Sequence, residues 1–381
     1  MRRRAIRRQI RYLSFAQAAC SSRQGDGDVA ETFLRGPMIV ADIGVFAHNE
    51  EDSIVLLLAD LAKQSVFFDS RFSVRVVVLA NGCSDNTCEA ANTASGNFSN
   101  PSSVLVCKLE EGGKSRTWNR FVHNLSNIDA ESLIFMDADI RLPGQNTISD
   151  LLLFLQERTD IKAASSLPVK DIDFRPERLK LIEKLISSGS QVTGPSSKTS
   201  ICGQLYVMRS AAARKISLPI GLPVEDGFVR HALITELFSR PINDSVIDQP
   251  DRVFHVYSSE RHISSLLTHQ TRIVIGSAIN ASLFSHFISM SRRGAHQEVL
   301  AQIEESSQSS TWLPNTMRAL LPSREGWVPL LFLYGRTRAF YKTRPHSARR
   351  SLMALIALGF DVVVYVLAQI KMARGAGAGY W

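Results

Sequence analysis

The sequence predicts an α/β fold, a parallel sheet with helices on both faces, followed by a helical C-terminal region. From Met38 onward, short apolar runs of strand length alternate with stripes of helical period. Each run ends in a polar loop, and acidic pairs lie in those loops. Such alternation indicates parallel strands, because a parallel connection must cross back over one face of the sheet and usually does so as a helix.

MIVADIGVFA, ending at Ala47, is the first strand, apolar enough to be buried on both faces. His48-Asn49-Glu50-Glu51 makes the corner after it, and Asn49 is expected to cap a helix whose Ile54, Leu57, Leu58 and Leu61 share one face. Val74 to Ala80 is the second strand; Asn81-Gly82 breaks it, and Ser84 or Asp85 caps the next helix. A short third strand, Val104 to Leu109, ends in Glu110-Glu111-Gly112-Gly113-Lys114, after which Trp118, Phe121, Val122 and Leu125 mark a helix. Leu133 to Asp137 is the fourth strand and delivers acids at its carboxyl end. Beyond it the pattern predicts a helix from Ile148 to about Arg158, a strand near Ile161 to Leu167 and a helix from Pro176 to Ser188. A Ser/Gly-rich loop, Ser187 to Ser200, precedes a strand in ICGQLYVMR. After Pro250 the chain becomes helical, with a long segment from about His262 to Ser291 and an apolar piece from Trp327 to Tyr334.

Leu352 to Ile370 is apolar apart from Asp361 and Gln369, just long enough to cross a bilayer, and Arg336, Arg338, Lys342, Arg344, Arg349 and Arg350 precede it. An Asp at mid-membrane costs about 2.5–3.5 kcal/mol, which the Leu, Ile and Val side chains can offset. A span, a surface-bound helix and a buried core helix all fit this segment. Length and flanking charge together lead us to expect contact with a membrane surface.

The 381 residues are 45% apolar and 21% charged, which excludes a disordered tail, a coiled coil and a polytopic channel. The formal net charge is +8, but Arg2, Arg3, Arg4, Arg7, Arg8, Arg11 and Arg23 all precede the first acid, Asp26. The remainder is close to neutral, so no nucleic-acid partner is expected. Residues 1–37 read as a basic extension of low order without the apolar core of a secretory signal. An organelle transit peptide, a lipid-touching arm and an upstream extension of the reading frame before Met38 are its three open readings. Cys20, Cys83, Cys88, Cys107 and Cys202 match neither a zinc ribbon nor a CxxC pair, which suits a reducing compartment. The expected location is the cytoplasm or the cytoplasmic face of a membrane.

Ligands of open parallel sheets collect beyond the carboxyl ends of the strands. Here four such ends carry polar loops, which packing alone hardly explains. In Asp137-Ala138-Asp139 two carboxylates can bear on one hard cation that shares its shell with phosphates, although the same pattern also caps helices. The loop beginning at Asn81 offers amide and carboxylate groups to a nucleobase or ribose, and Gly112-Gly113-Lys114 offers bare backbone and a cation to a phosphate. No P-loop signature and no GxGxxG turn occurs. Glu225-Asp226-Gly227 opens a helix after the Pro219–Pro223 turn. A carboxylate there accepts a proton from an attacking hydroxyl, or simply complements the helix dipole.

Taken in order, VFAHNEE, VLANGCSDNT, GGKSRTWN, FMDAD, GQLYVMR and VEDGF resemble the successive motifs of the family-2 inverting glycosyltransferases of the GT-A fold, over Met38 to His255. The resemblance implies a GT-A domain over residues 38–260 and a helical region over 261–381. It implies that Asn49, Glu50, Asn81 and Lys114 hold nucleotide, that Asp137 and Asp139 hold sugar and a divalent metal, Mg or Mn, and that Asp226 is the catalytic base with Glu225 shaping the acceptor side. For a third metal ligand His255 and His231 stay open, although a lone histidine is more often a core residue. The implied partners are a nucleotide-diphospho-sugar donor and a carbohydrate or lipid-linked acceptor, as in polysaccharide or glycolipid synthesis. The implied reaction is a single displacement in which Asp226 takes the acceptor proton while the metal neutralises the departing diphosphate.

Two departures bear on specificity. Ala80-Asn81-Gly82-Cys83 stands where the family commonly has DDGS, so an amide replaces a carboxylate that grips the base. The QxxRW signature of processive members is reduced to Gln270-Thr271-Arg272-Ile273, which points to a non-processive enzyme. Two further readings share the sheet: a sugar-phosphate nucleotidyltransferase and a non-catalytic nucleotide-binding protein. The missing Gly-rich basic loop after the first strand weighs against the former, and the intact DAD and ED elements weigh against the latter.

Overall fold

The computed structural model describes residues 38–174, 198–322, 326–342 and 348–375. The extension 1–37, the helix expected at Pro176–Ser188 and the loop up to residue 197 lie outside the described residues. The strands are β1 (Ile39–Ala47), β2 (Phe72–Asn81), β3 (Val104–Leu109), β4 (Ser132–Asp137), β5 (Ile140–Arg141), β6 (Ala163–Ser165), β7 (Leu167–Lys170), β8 (Leu205–Arg209), β9 (Ile247–Asp248) and β10 (Phe254–Tyr257). Seven of them form one sheet in the order β3-β2-β1-β4-β8-β6-β9, and β5-β10-β7 form a second, smaller one.

β1 to β4 are mutually parallel, as the alternation predicts. β8 departs from the parallel expectation: it lies antiparallel between β4 and β6. An apolar run carries no direction, so periodicity could not reveal this. The consequence is functional, because an antiparallel β8 brings its first residues to the rim where β4 ends, and Asp137 N–H donates to Gln204 O at 2.9 Å. The strand expected near Ile161 to Leu167 divides into β6 and β7, which belong to different sheets.

Alternation along the strands builds a core on each face of the sheet. Ile43, Val45, Ile134 and Met136 face α1 (Glu51–Leu61) and bury Ile54, Leu57, Leu58 and Leu61. Phe46, Leu133 and Phe135 face the other way, toward Trp118 of α2 (Lys114–Arg120), Phe228 of α3 (Glu225–Ile234), and Ile279, Leu283 and Phe287 of α4 (Ile263–Arg292). A side chain at Gly44 would stand 2.8 Å from the Phe121 ring, so only glycine lets that ring pack onto β1. The chain ends in α5 (His296–Gln308), α6 (Trp312–Leu320), α7 (Leu331–Lys342) and α8 (Ala348–Ala373).

One charge is buried inside the sheet. Asp42 on β1, 1% exposed, accepts from Arg75 Nη2 at 2.5 Å and from Asn127 N–H at 2.6 Å, and Arg75 also reaches Leu125 O at 2.7 Å. The pair ties β1 and β2 to the turn that feeds β4. Asp42→Ala would strand Arg75 and the Asn127 amide, while Arg75 keeps some access to water. We expect a loss of about 2–3 kcal/mol, read as a fall of several degrees in Tm.

Candidate active site

The loops after β1 and β2 are stitched into one wall. Asn49 adopts a left-handed conformation (φ 55°), and its side-chain oxygen accepts from Ser84 N–H at 2.8 Å instead of capping α1. Glu50 N–H donates to Thr87 Oγ1 at 2.8 Å, and Glu51 exchanges bonds with Asp85 and the Asn86 amide. Asn86, neither of the two residues expected, is the N-cap position of the following helix and makes no side-chain cap; Asp85 stands one residue before it and accepts from Thr87 N–H at 3.0 Å. The third loop joins at Gly82, whose φ is 58° and where a Cβ would lie 2.8 Å from Gly112. Asn81, fully buried behind this contact, has neither its amide nitrogen nor its oxygen hydrogen-bonded. Leaving such a group unpaired costs about 1–3 kcal/mol, a penalty of the kind that a ligand polar group relieves.

Lys114 forms the centre. As the first residue of α2 after Gly112-Gly113, it places Nζ 2.6 Å from Asp137 Oδ1, 3.1 Å from Glu225 Oε1 and 3.3 Å from Gly203 O. Burial works to lower its basicity, but the two carboxylates overcome this and hold the ammonium above its ordinary range. Burial pushes the Asp137 carboxyl up to about 7; Lys114 opposes this, and Asp139 and Glu225 add to it. Asp226 is pushed up to about 6 by burial and by Glu225, against Lys114 and the N–H groups of Gly227 and Gly203. One ammonium thus lies among three carboxyl groups, and its charge opposes the rise of both Asp137 and Asp226.

Gly203 closes the cluster, since a Cβ there would lie 3.1–3.3 Å from the Asp226 side chain. The acid at the end of β4 and the acid at the start of α3, far apart in sequence, are therefore linked through Lys114, Glu225 and Gly203. Beneath them Trp118, Phe135 and Tyr206 stack nearly parallel, and Trp118 Nε1 donates to Tyr206 Oη at 2.9 Å. Among these residues, the sequence marks Trp118 only as part of a helical stripe and gives Gly203 and Tyr206 no individual role. Their only signal is the wording GQLYVMR and GGKSRTWN.

The remaining candidates lie around this centre. Asp139 is exposed and, among the described residues, makes no hydrogen bond or ion pair. Glu50 feels its charge: burial first, then Asp139 and Asp85, raise the Glu50 carboxyl. His255 on β10 is fully buried, with Nδ1 2.5 Å from Ser166 Oγ and Nε2 3.2 Å from Gln204 Oε1, and burial holds its imidazole down to about 3. His231 stacks on Phe284 at 4.0 Å, as a core group. Among the described residues no three His, Cys, Asp or Glu side chains converge as a preformed metal cluster. One free carboxylate, a second held by lysine and an open rim suit a hard cation that draws most of its ligands from water and substrate phosphate.

Residues 42–217 match the family model for glycosyl transferase family 2. This segment is a glycosyl transferase family 2 domain, and the protein is a glycosyltransferase. The family 2 match ends before Glu225 and Asp226, which the fold nevertheless brings against it. No curated protein matches the chain significantly in sequence. Among solved structures, the chain is similar to the mannosyltransferase of Pyrobaculum calidifontis in complex with GDP-Man and Mn2+, at 13% identity over 94% of each chain with a TM-score of 0.51. It is also similar to glucosyl-3-phosphoglycerate synthase of Mycobacterium tuberculosis with Mn2+, UDP-Glc and phosphoglyceric acid. There the identity is 16% over 68% of this chain and 80% of that one, with a TM-score of 0.41. The chain as a whole has a GT-A-like architecture, a central sheet between helices, followed by a helical C-terminal region.

The raised acid has a thermodynamic signature. Because Asp226 binds its proton more tightly when folded, its contribution favours folding below about pH 4 and is lost as pH rises through about 6. Asp226→Asn should therefore raise Tm at pH 8, by the equivalent of about 2–3 kcal/mol, and the gain should close as the pH falls toward 4. Thermal melts of both proteins across this range check the sign.

Proposed function

We propose that the protein is an inverting, metal-dependent, non-processive glycosyltransferase that moves a sugar from a nucleotide-diphospho-sugar to an acceptor hydroxyl. The observation that carries this reading is the single cluster in which Lys114 bridges Asp137 to Glu225 while Asp226 lies against Gly203. Asp226 takes the acceptor proton as the oxygen attacks the anomeric carbon; a value of about 6 leaves it ionised near neutral pH yet basic enough to serve. Glu225 holds Lys114 in place on the acceptor side. Glu50, Asn81 and Lys114 bind the nucleotide portion, and Asn49 supports them by fixing the Ser84 loop.

A divalent cation, Mg or Mn, would be held by Asp139 and Asp137, with His255 joining only on giving up its Gln204 contact. When bound, it supplies charge neutralisation for the departing diphosphate. Two unit charges 4 Å apart interact by about 4 kcal/mol at an effective dielectric of 20, so loss of the free carboxylate at Asp139 is severe. We expect Asp226→Asn to bind donor as wild type does and to lose transfer by about 10²- to 10⁴-fold, and Asp139→Asn to lose metal-dependent donor affinity as well. A donor screen with Mg or Mn, scored by nucleoside diphosphate release and thermal shift, tests this. Release of pyrophosphate would establish a nucleotidyltransferase instead, and affinity without turnover a binding protein.

A lipid-linked acceptor fits the outer face of the C-terminal helices. Residues 354–373 are long and apolar enough to cross a membrane, and only 17% of that apolar window is buried. Leu352, Leu355, Ile356, Val363 and Val366 are exposed there, as are Leu331, Tyr334 and Tyr341 on α7, beside the exposed Arg338. This face would lie on the anionic cytoplasmic leaflet. The protein should float with anionic liposomes, and Leu355→Glu with Ile356→Glu should lower the bound fraction about fivefold or more. Equal flotation of the double variant would remove this face from membrane binding.

A further inference from the structure

Helix α4 is also long and apolar enough to cross a membrane, yet 44% of its apolar window is buried. Its buried stripe, including Ile275, Gly276, Ile279, Asn280, Leu283 and Phe287, packs into the core on the active-site face of the sheet. At one point it meets the two residues that flank Glu225 and Asp226. A Cβ on Gly276 would lie 2.4 Å from Val224 Cγ2 and 3.1 Å from Val224 N, so the helix reaches Val224 only because residue 276 is glycine. One turn on, Asn280 Nδ2 donates to Val224 O at 2.8 Å and would stand 2.9 Å from a Cβ on Gly227.

Val224 and Gly227 flank Glu225 and Asp226 on either side. The N-terminus of α3 has no side-chain cap of its own, and Gly227 N–H is turned onto Asp226 Oδ1 at 2.8 Å. The direction in which the Asp226 carboxyl leaves the helix is therefore set by what holds Val224 and Gly227. Asn280 touches both. Its own oxygen is buried without a hydrogen-bond partner. A leucine of similar volume would avoid that penalty, so stability alone does not account for an amide here.

We propose that Asn280, with Gly276, is a positioning residue for the catalytic base: α4 acts as a backstop that fixes the start of α3 against Lys114 and Gly203. The proposal rests on the transferase reading above and reaches beyond the family 2 match, which ends at residue 217. It makes the C-terminal helical region a component of the catalytic apparatus.

The test uses the full chain and reads wild type and Asp226→Asn first. If wild type releases no nucleoside diphosphate, or Asp226→Asn turns over normally, the transferase reading fails and this proposal falls with it. Given those controls, Asn280→Leu should keep donor KM within about twofold and lower kcat about 10- to 100-fold, the cost of misplacing a reacting group by about an ångström. Asn280→Asp keeps the outline but replaces the amide donor to Val224 O with an acceptor oxygen, and adds an acid near Glu225 and Asp226. It should move the acidic limb of the kcat profile to higher pH, which a purely structural role would not do. If Asn280→Leu does not fold, Asn280→Asp alone decides. Folded variants with wild-type kcat and an unmoved acidic limb would overturn the proposal.

Discussion

One buried ammonium group organises this molecule. Lys114 contacts Asp137 and Glu225, which come from distant parts of the chain, and Asp226 follows Glu225 at the start of α3. Removing a lysine from water is costly, and the cost is met here only because Asp137 and Glu225 are within contact distance. The cation between those acids in turn offsets their mutual repulsion. Glycines at 82 and 203 allow the loops to close this tightly, Gly113 supplies a positive φ of 125° before Lys114, and the Trp118-Phe135-Tyr206 stack supplies a floor.

The same constraint explains why the carboxyl groups are unequal. Asp139, exposed and unpartnered among the described residues, is available to a ligand. Asp137 is committed to Lys114. Asp226, shielded from water and set against a glycine, is raised by burial and by its neighbour Glu225. Three acids of the same intrinsic strength are placed in three different environments by depth and neighbours alone. This is the arrangement expected where one carboxylate meets a cation and another handles a proton.

The C-terminal helices divide in character. α4 shares the core of the sheet through Ile279, Leu283 and Phe287 and touches the segment bearing Asp226. α7 and α8 keep an apolar outer surface; α8 buries Ala368 and Met372 in the same core as α4, and Arg336 of α7 reaches both Gln270 of α4 and Asp361 of α8. Gln270, where the QxxRW comparison begins, is thereby engaged in helix packing. Two helices of similar length and hydropathy thus do different things, because one faces the sheet and the other faces outward.

The alternation of apolar runs and helical stripes determined the α/β class, the parallel strands β1 to β4 and the polar rim at their carboxyl ends, since these depend on local period and on loop chemistry. Motif order was enough to name Asp137, Asp139, Lys114, Glu225 and Asp226 as neighbours. Only the tertiary structure decided the antiparallel direction of β8, the commitment of Asn49 to Ser84, the burial of Asn81 and the occupation of both His255 nitrogens. The contact of Asn280 with Val224 belongs to the same class. Strand direction and side-chain pairing are set by which surfaces meet across long sequence separations, and no local pattern records such a meeting. A short apolar run, a loop asparagine or a histidine on a strand reads the same whether its partner is solvent, a ligand or another segment of the chain.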